Sequence, residues 1–393
     1  MPSVSRVRSP EPGAAILIAA SSGRALAGAA RRAGFRPLVA DFFDDLDTRG
    51  FCAANHFIEE GLARGFTEEN LIPALEALAK GEAPCGFVYG AGFEDRAELL
   101  EVVAQRFTLF GNFPDVVRRV KDPARLAELC GALNIPHPKI SMKMPSDHHQ
   151  WLVKSAGGAG GSHVAPAGAI GVAGEKIYFQ RLAAGAPVSI LVVADGSKAR
   201  VVGLSRQWAA PTPGEPFRFG GSLRPAGLSR ELQGRLRRAA KEITAACGLR
   251  GLNSIDFLVE GGDYTLIEIN PRPGATLDIF DDRGGALFRA HVESCRGRLP
   301  LIPLAFGGAA AAGIAYTRRE ISSMPEFDWP DWTADRQKAQ SYLQAQDPLC
   351  TIKVRATKPS RARALLIERT NWILGRLEQD QNENAPMGKE TAH

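Results

Sequence analysis

The sequence predicts an α/β unit at the N-terminus, a mixed α+β body behind it, and a small α/β unit at the C-terminus. Three observations carry this. An apolar strand, a glycine turn and a helix run into a second strand over residues 14–41, the βαβ pattern of a parallel sheet. Short strand patterns separated by glycine- and proline-containing turns fill residues 151–270. The stretch 252–278, LNSIDFLVEGGDYTLIEINPRPGATLD, gathers oxygen-bearing side chains at the end of a hairpin.

The elements follow in chain order. Residues 1–13 are polar and rich in proline, and are expected to be a mobile tail. Strands are expected at 14–20, 37–41, 86–89 and 109–111, and helices at 24–33 and 94–106. The acidic end of the second strand, Asp41, Asp44 and Asp45, is read as a solvated loop. Residues 116–132 read as helix broken at Lys121-Asp122-Pro123, where Asp122 caps and Pro123 takes the first helical position. Strands at 151–154, 163–165 and 176–181 enclose a glycine loop. A hairpin spans 188–194 and 199–203, residues 204–227 are expected to be a long loop, and 229–247 an amphipathic helix. Beyond 300, strands at 309–317 and 349–357 and a helix at 360–377 form the last unit, with a disordered tail at 378–393.

Composition narrows the function. The chain has 393 residues, 45 % hydrophobic and 23 % charged, which is enough for two or three cores. Its net charge of +5 is dispersed and does not point to nucleic acid. The six cysteines stand singly, with no CxxC or Cys/His spacing, so neither a zinc site nor a disulfide scaffold is indicated, and a cytoplasmic setting is expected. The apolar run at 14–20 is far shorter than the roughly 18 residues a membrane span needs, so no membrane partner is expected.

Two segments carry chemistry. In the hairpin, Glu268 and Asn270 are two residues apart and share a sheet face, and the Gly261-Gly262-Asp263 turn brings Asp256 beside them. Two carboxylates and an amide oxygen suit Mg²⁺ (or Mn²⁺) carried by a nucleoside triphosphate. Arg272 follows, placed to meet a phosphate or a developing anion. The second segment, WLVKSAGGAGGS at 151–162, puts Lys154 at a strand end before Gly157, Gly158, Gly160 and Gly161. Lys154 precedes the glycines and no Gly-Lys-Ser/Thr closes them, so this is a flap closing over phosphates rather than a Walker loop. Lys121 is the second phosphate candidate. Gln180, Arg181 and Leu182, at a strand end, are expected to read an adenine edge, and Ser189 to meet the ribose. Arg206, Arg218 and Arg224 are candidates for an acidic substrate, Arg206 the best of them. His163 is expected to have no role.

The order of a lysine, a lysine with a glycine loop, a polar strand end and an Asp/Glu/Asn/Arg hairpin resembles the ATP-grasp superfamily, in its biotin-carboxylase-like and carbamoyl-phosphate-synthase-like branch. The twelve-residue spacing from Asp256 to Glu268 fits that family's hairpin. The resemblance implies a Rossmann-like pre-ATP-grasp domain at 1–115, a lid subdomain at 116–187, a large subdomain with the metal hairpin at 188–300, and a C-terminal unit at 301–393, which packs on the grasp or makes a homodimer contact. It implies ATP and Mg²⁺ as cofactors, with Asp256, Glu268 and Asn270 on the metal, Lys121 and Lys154 on phosphates, and Arg272, Lys154 and Arg206 in catalysis. Departures bear on the reaction. Gln180 and Ser189 stand where carboxylates are common, and Pro273-Gly274-Ala275-Thr276 follows Arg272 where carboxylases carry other residues. That ending looks like small amino-acid ligases of the archaeal tyramine–glutamate and pterin–glutamate type. The expected activity is therefore joining a carboxylate, activated as an acyl phosphate, to an amine. A carboxylase or carboxylate–thiol ligase is the alternative, and a non-catalytic nucleotide-binding module the third reading.

Overall fold

The computed structural model describes residues 11–168, 176–281, 284–300 and 306–383. Of the tails expected at 1–13 and 378–393, residues 1–10 and 384–393 lie outside the described residues.

The N-terminal segment forms a five-stranded parallel sheet in the order Ala54–Phe57, Arg36–Asp41, Ala15–Ala19, Phe87–Tyr89, Leu109–Phe110. Its central strand is buried at every position because helices cover both faces. The edge strand Ala54–Phe57 went unread in the sequence. All four of its residues are exposed, so it shows no apolar period. Helix Glu68–Ala79 was also missed, although Thr67 and Asn70 close a capping box at its start.

The acidic strand end contradicts its reading as a solvated loop. Asp41, Asp44, Asp45 and Asp47 are all buried. Asp44 is paired with Arg49 and Lys338, and Asp47 with Arg336. Arg49 is local, but Lys338 and Arg336 come from distant sequence, so the pattern of acids alone gave no sign of burial.

A four-stranded antiparallel sheet, in the order Ile140–Ser141, Ile177–Arg181, Trp151–Ser155, Val164–Pro166, closes on Trp151, Val153, Ala165, Ala167 and Phe179. The largest sheet has eight strands in the order Asp263–Asn270, Arg250–Glu260, Ala186–Asp195, Ala199–Ala209, Phe219–Arg224, Ala309–Tyr316, Pro348–Ala356, Thr333–Ala334. Half of the segment expected as a loop at 204–227 is thus sheet. Arg206–Ala209 pairs with 219–223, and only the proline-rich turn between them is irregular. Three strands from beyond residue 300 continue this sheet, and helix Pro359–Glu383 packs on them, running past the point at which disorder was expected.

One face of the large sheet packs on helix Arg230–Cys247 through Leu236, Ala240 and Ile243. The other face packs on helices Arg24–Arg32 and Ala286–Cys295, so Ile16, Ala29, Leu252, Phe288 and Ala310 share one core. A cavity opens between all three sheets, lined by Ala20, Ser21 and Gly90 after the parallel strands, by Lys154 and Gln180 of the small sheet, and by Asp256 and Glu268 of the large one.

Candidate functional site

The hairpin Arg250–Glu260 and Asp263–Asn270 pairs Asp256 directly with Glu268, and Ser254 with Asn270, with a bulge between Asp256 and Phe257. On the next strand, Ser189 lies opposite Asp256. One oxygen-rich surface results. Asn270 Nδ2 donates to Asp256 Oδ2 at 2.9 Å, and Ser189 Oγ donates to Asp256 Oδ1 at 2.5 Å. From the end of helix Pro114–Lys121, the Lys121 ammonium reaches Glu268 Oε1 at 2.6 Å and Asn270 Oδ1 at 3.2 Å. The helix ends there because Asp122 caps the following one, accepting from Ala124 N at 2.9 Å and Arg125 N at 3.1 Å.

Opposite this surface, the small sheet contributes Lys154, which is buried and donates to Gln180 Oε1 at 3.1 Å. The glycine loop between Trp151–Ser155 and Val164–Pro166 folds against its surroundings. A Cβ at Gly157 would lie 2.7 Å from the Asp95 backbone, and at Gly161, with φ +83°, 1.9 Å from Phe217 O. Phe219 N donates to Gly160 O at 2.8 Å, docking the flap on the 210–219 turn. A Cβ at Gly158 would meet His163 at 2.2 Å. His163 lines the cavity, so its expected lack of a role gives way to a place in the wall.

Burial and charge set the protonation states. Burial raises the Asp256 carboxyl to about 6, with help from Glu268. Burial would raise Glu268 too, but Lys121, with His163 and Lys154, outweighs it and holds that carboxyl at about 2. Burial lowers the Lys154 ammonium and the His163 imidazole. The surface therefore pairs one firm anion with a carboxyl that ionises near neutrality.

The structure brings Lys121, Lys154, Gln180, Asp256, Glu268 and Asn270 together, but several expectations shift. Ser189 is fully buried and spent on Asp256, so it positions that carboxylate instead of facing a ribose. Arg181 and Leu182 line the cavity, yet their N–H groups are bonded to Lys139 O and Gln150 O. Arg206 is exposed, with Nε bonded to Ala226 O at 2.6 Å. Neighbouring Gln207 lines the cavity, and strand alternation turns Arg206 to the other face. Arg218 lies 3.6 Å over the Tyr316 ring and is bonded to Ala210 O and Gln346, while Arg224 holds Ile279 O, so both arginines serve the fold.

Arg272 lines the cavity but is not free. Its Nε donates to Glu94 Oε1 at 2.7 Å, and Glu94 Oε2 accepts from Gly92 N and Phe93 N. Glu94, 178 residues away, was missed, although it directly follows the glycine turn of a parallel strand. Burial opposes its ionisation, and Arg272, then Lys121, brings its carboxyl below the usual range.

The cavity has a volume of about 640 Å³. It runs from Lys154, Gln180 and Glu268 to a far end walled by Ser22, Arg24, Ser222, Thr276, Asp278 and Asp335. No described helix is long and apolar enough to cross a membrane.

Comparison with known proteins gives a consistent result. Residues 124–276 match the ATP-grasp domain family. A 64-residue stretch is 39 % identical to the carbamoyl phosphate synthase large chain of Pasteurella multocida, spanning 16 % of this chain and 6 % of that protein. The fold is that of biotin carboxylase from Campylobacter jejuni, solved with an ATP analogue (TM-score 0.68, 15 % identity, 94 % of this chain and 96 % of that one). It is also that of the N5-carboxyaminoimidazole ribonucleotide synthetase PurK, solved with ADP (TM-score 0.66, 14 % identity, 95 % and 99 %). The hairpin and the glycine flap lie within residues 124–276, the stretch that matches the ATP-grasp domain family, and the chain shares the fold of these two enzymes.

Proposed function

We propose that this chain is an ATP- and Mg²⁺-dependent ligase that activates a carboxylate as an acyl phosphate and joins it to an amine. The observation that carries this reading is the convergence of Asp256, Glu268 and Asn270 on one face, with Lys121 already bonded to two of them. Hard oxygen donors fit Mg²⁺, and a cation at that place is matched by the ammonium now lying there. Bound to Asp256, Glu268 and Asn270, the ion would supply charge neutralisation on the triphosphate.

The chain's own groups then do the rest. Lys154 and Lys121 hold phosphate oxygens, and the flap Gly157–Gly161 closes over them and excludes water, which would hydrolyse an acyl phosphate. The Gln180–Leu182 strand end borders the base, with Gln180 held by Lys154. Arg272, fixed by Glu94, presents its remaining N–H groups to the reacting carboxylate. In the first step the carboxylate oxygen attacks the γ-phosphorus and ADP leaves. In the second the amine attacks the acyl carbon, phosphate leaves, and the amine's proton is lost.

The test is ADP release from Mg-ATP with a panel of carboxylates and amines. Release that requires both, and falls at least about 100-fold in Glu268→Gln, supports the reading. Release that is unchanged in this variant removes the metal assignment.

A further inference from the structure

Past Arg272 the cavity leaves the acid–lysine surface and becomes apolar. Asp256, Ser189 and Ser205 lie opposite one another on neighbouring strands, and two residues further on Gln207, Ser222 and Ala312 do the same. One face of the large sheet therefore looks into the cavity along its whole width, and alternation adds Ile314 to it. The strand Ala309–Tyr316 lies four strands from Arg250–Glu260, about 19 Å at 4.8 Å per strand, which takes this end away from the carboxylates of the hairpin. Phe217, Phe219, Ile314 and Tyr316 line it. Phe217 is 37 % exposed and the other three are half-buried. None of the four packs into any of the described apolar cores. Their apolar surface is thus left open to whatever enters the cavity.

The charged groups around this end are spent on one another. Arg24 is clamped between Asp278 and Asp335. Its Nε donates to Asp335 Oδ1 at 2.9 Å, its Nη2 to Asp278 Oδ2 at 2.8 Å and to Asp335 Oδ2 at 2.7 Å, and its Nη1 to Asp278 Oδ1. Four of its five N–H donors are used, so it offers no fork to a substrate carboxylate. Lys353 also acts on Asp278, so two cations meet two carboxylates and no charge is left over. Arg218 lies 3.6 Å over the Tyr316 ring, and Arg206 is turned to the other face. The hydroxyls at the rim are used as well. Ser21 Oγ donates to Ala91 O at 3.2 Å, Ser22 Oγ to Asp335 Oδ1 at 3.2 Å, and Tyr316 Oη to Phe219 O at 2.8 Å.

We infer that the end of the cavity walled by Phe217, Phe219, Ile314 and Tyr316 is a subsite for an uncharged apolar group of the substrate, such as an aryl ring. A ring placed there exchanges water for apolar contact on both partners. A charged side chain would be desolvated with no uncommitted ion to meet it, since the carboxylates and cations here already hold each other. Gln207, on the same sheet face, is a neutral amide and lines the same end, so a neutral polar substituent is compatible with it. The wall is also tied to the flap. Phe219 N donates to Gly160 O, so the residues that would hold the ring are those on which the glycine loop docks. The inference rests on the ligase reading only in calling the ligand a substrate; the preference for an apolar group is measurable without turnover.

The experiment uses the full-length protein with excess MgADP, which fills the nucleotide end. Calorimetry compares probes with matched head groups, 3-phenylpropanoate against succinate and 2-phenylethylamine against 1,2-diaminoethane. At least one aryl probe should bind about 10-fold or more tighter than its charged counterpart, and the pair that shows it tells whether the acid or the amine carries the apolar group. Phe217→Ser should weaken that binding about 3-fold or more. The Phe217 side chain is open and packs into no described core, so the melting temperature of the variant should match the parent. Charged probes that bind as tightly as the aryl ones overturn the subsite. So does an unweakened Phe217→Ser, and so does aryl binding that MgADP displaces, which would put the ring where the base lies. ADP release is then screened with the same four compounds, each with a panel of carboxylates and amines. Aryl binding without ADP release leaves the subsite standing and sinks the ligase reading. ADP release supported by succinate or 1,2-diaminoethane and by neither aryl probe does the reverse.

Discussion

Glu94 and Arg272 form a buried ion pair at 2.7 Å that joins the turn after the fourth parallel strand to the end of the acidic hairpin. Both side chains are under one-tenth exposed. The pair therefore sets where the Arg272 guanidinium faces the cavity, and it does so across the junction between the N-terminal sheet and the large sheet.

Glu94→Gln should be costly for that reason. The amide still accepts one backbone N–H but leaves Arg272 charged and unpaired inside the protein. Stability should fall by about 3 kcal/mol, measured by urea denaturation at pH 7. A double variant, Glu94→Gln with Arg272→Met, should recover most of the loss, since the stranded charge is gone. A single variant as stable as the parent would mean that the pair adds nothing.

Lys154 makes the opposite trade. It is buried, it donates to Gln180 Oε1, and burial disfavours its charge. Lys154→Met keeps the shape and removes the desolvated cation, so stability should stay within about 1 kcal/mol of the parent or rise. Mg-ATP affinity should fall at least about 10-fold, the loss of one charge-assisted phosphate contact. Thermal melts with and without Mg-ATP separate the two effects, and an undiminished nucleotide shift in the variant would remove Lys154 from the phosphate site.

Much of this site was readable because it is local. Strand alternation put Glu268 and Asn270 on one face, the Gly261-Gly262 turn returned Asp256 to them, and Asp122-Pro123 marked the helix break that delivers Lys121. What was not readable depends on partners far along the chain. Asp44 and Asp47 look solvated until Lys338 and Arg336 arrive from nearly 300 residues away. Arg206 looked like a substrate residue because Pro211 and Pro213 hid the strand it sits on, and one step of strand parity turns it to the wrong face.

The glycine flap supports a graded prediction. Gly160 and Gly161 both have positive φ, but a Cβ at Gly160 meets open space, while at Gly161 it lies 1.9 Å from Phe217 O. Gly160→Ala should cost about 1 kcal/mol of backbone strain and keep the flap docked. Gly161→Ala must lift the flap from the 210–219 turn. The Phe219 amide, now bonded to Gly160 O, reports this directly by hydrogen exchange. Its exchange should accelerate at least about 10-fold in Gly161→Ala and much less in Gly160→Ala. Equal rates in the two variants would show that the close approach does not hold the flap.

His291 makes the junction between the two sheets sensitive to acid. Its Nδ1 accepts from Leu252 N at 2.9 Å, so the ring is neutral, and Nε2 lies 3.0 Å from Phe110 O, to which it donates. Leu252 belongs to the large sheet and Phe110 to the parallel sheet, so one imidazole ties both. Burial lowers its pKa from 6.5 to about 4. Between these values the unfolded chain binds the proton and the folded one does not. The stabilising contribution is therefore present above pH 6.5 and is lost as pH falls toward 4. At pH 5 the loss should be about 2 kcal/mol relative to pH 7. His291→Gln, which does not titrate, should be less stable at pH 7 but should lack this part of the slope between pH 6.5 and 4. Parallel pH profiles for parent and variant in urea denaturation would place the acid sensitivity elsewhere.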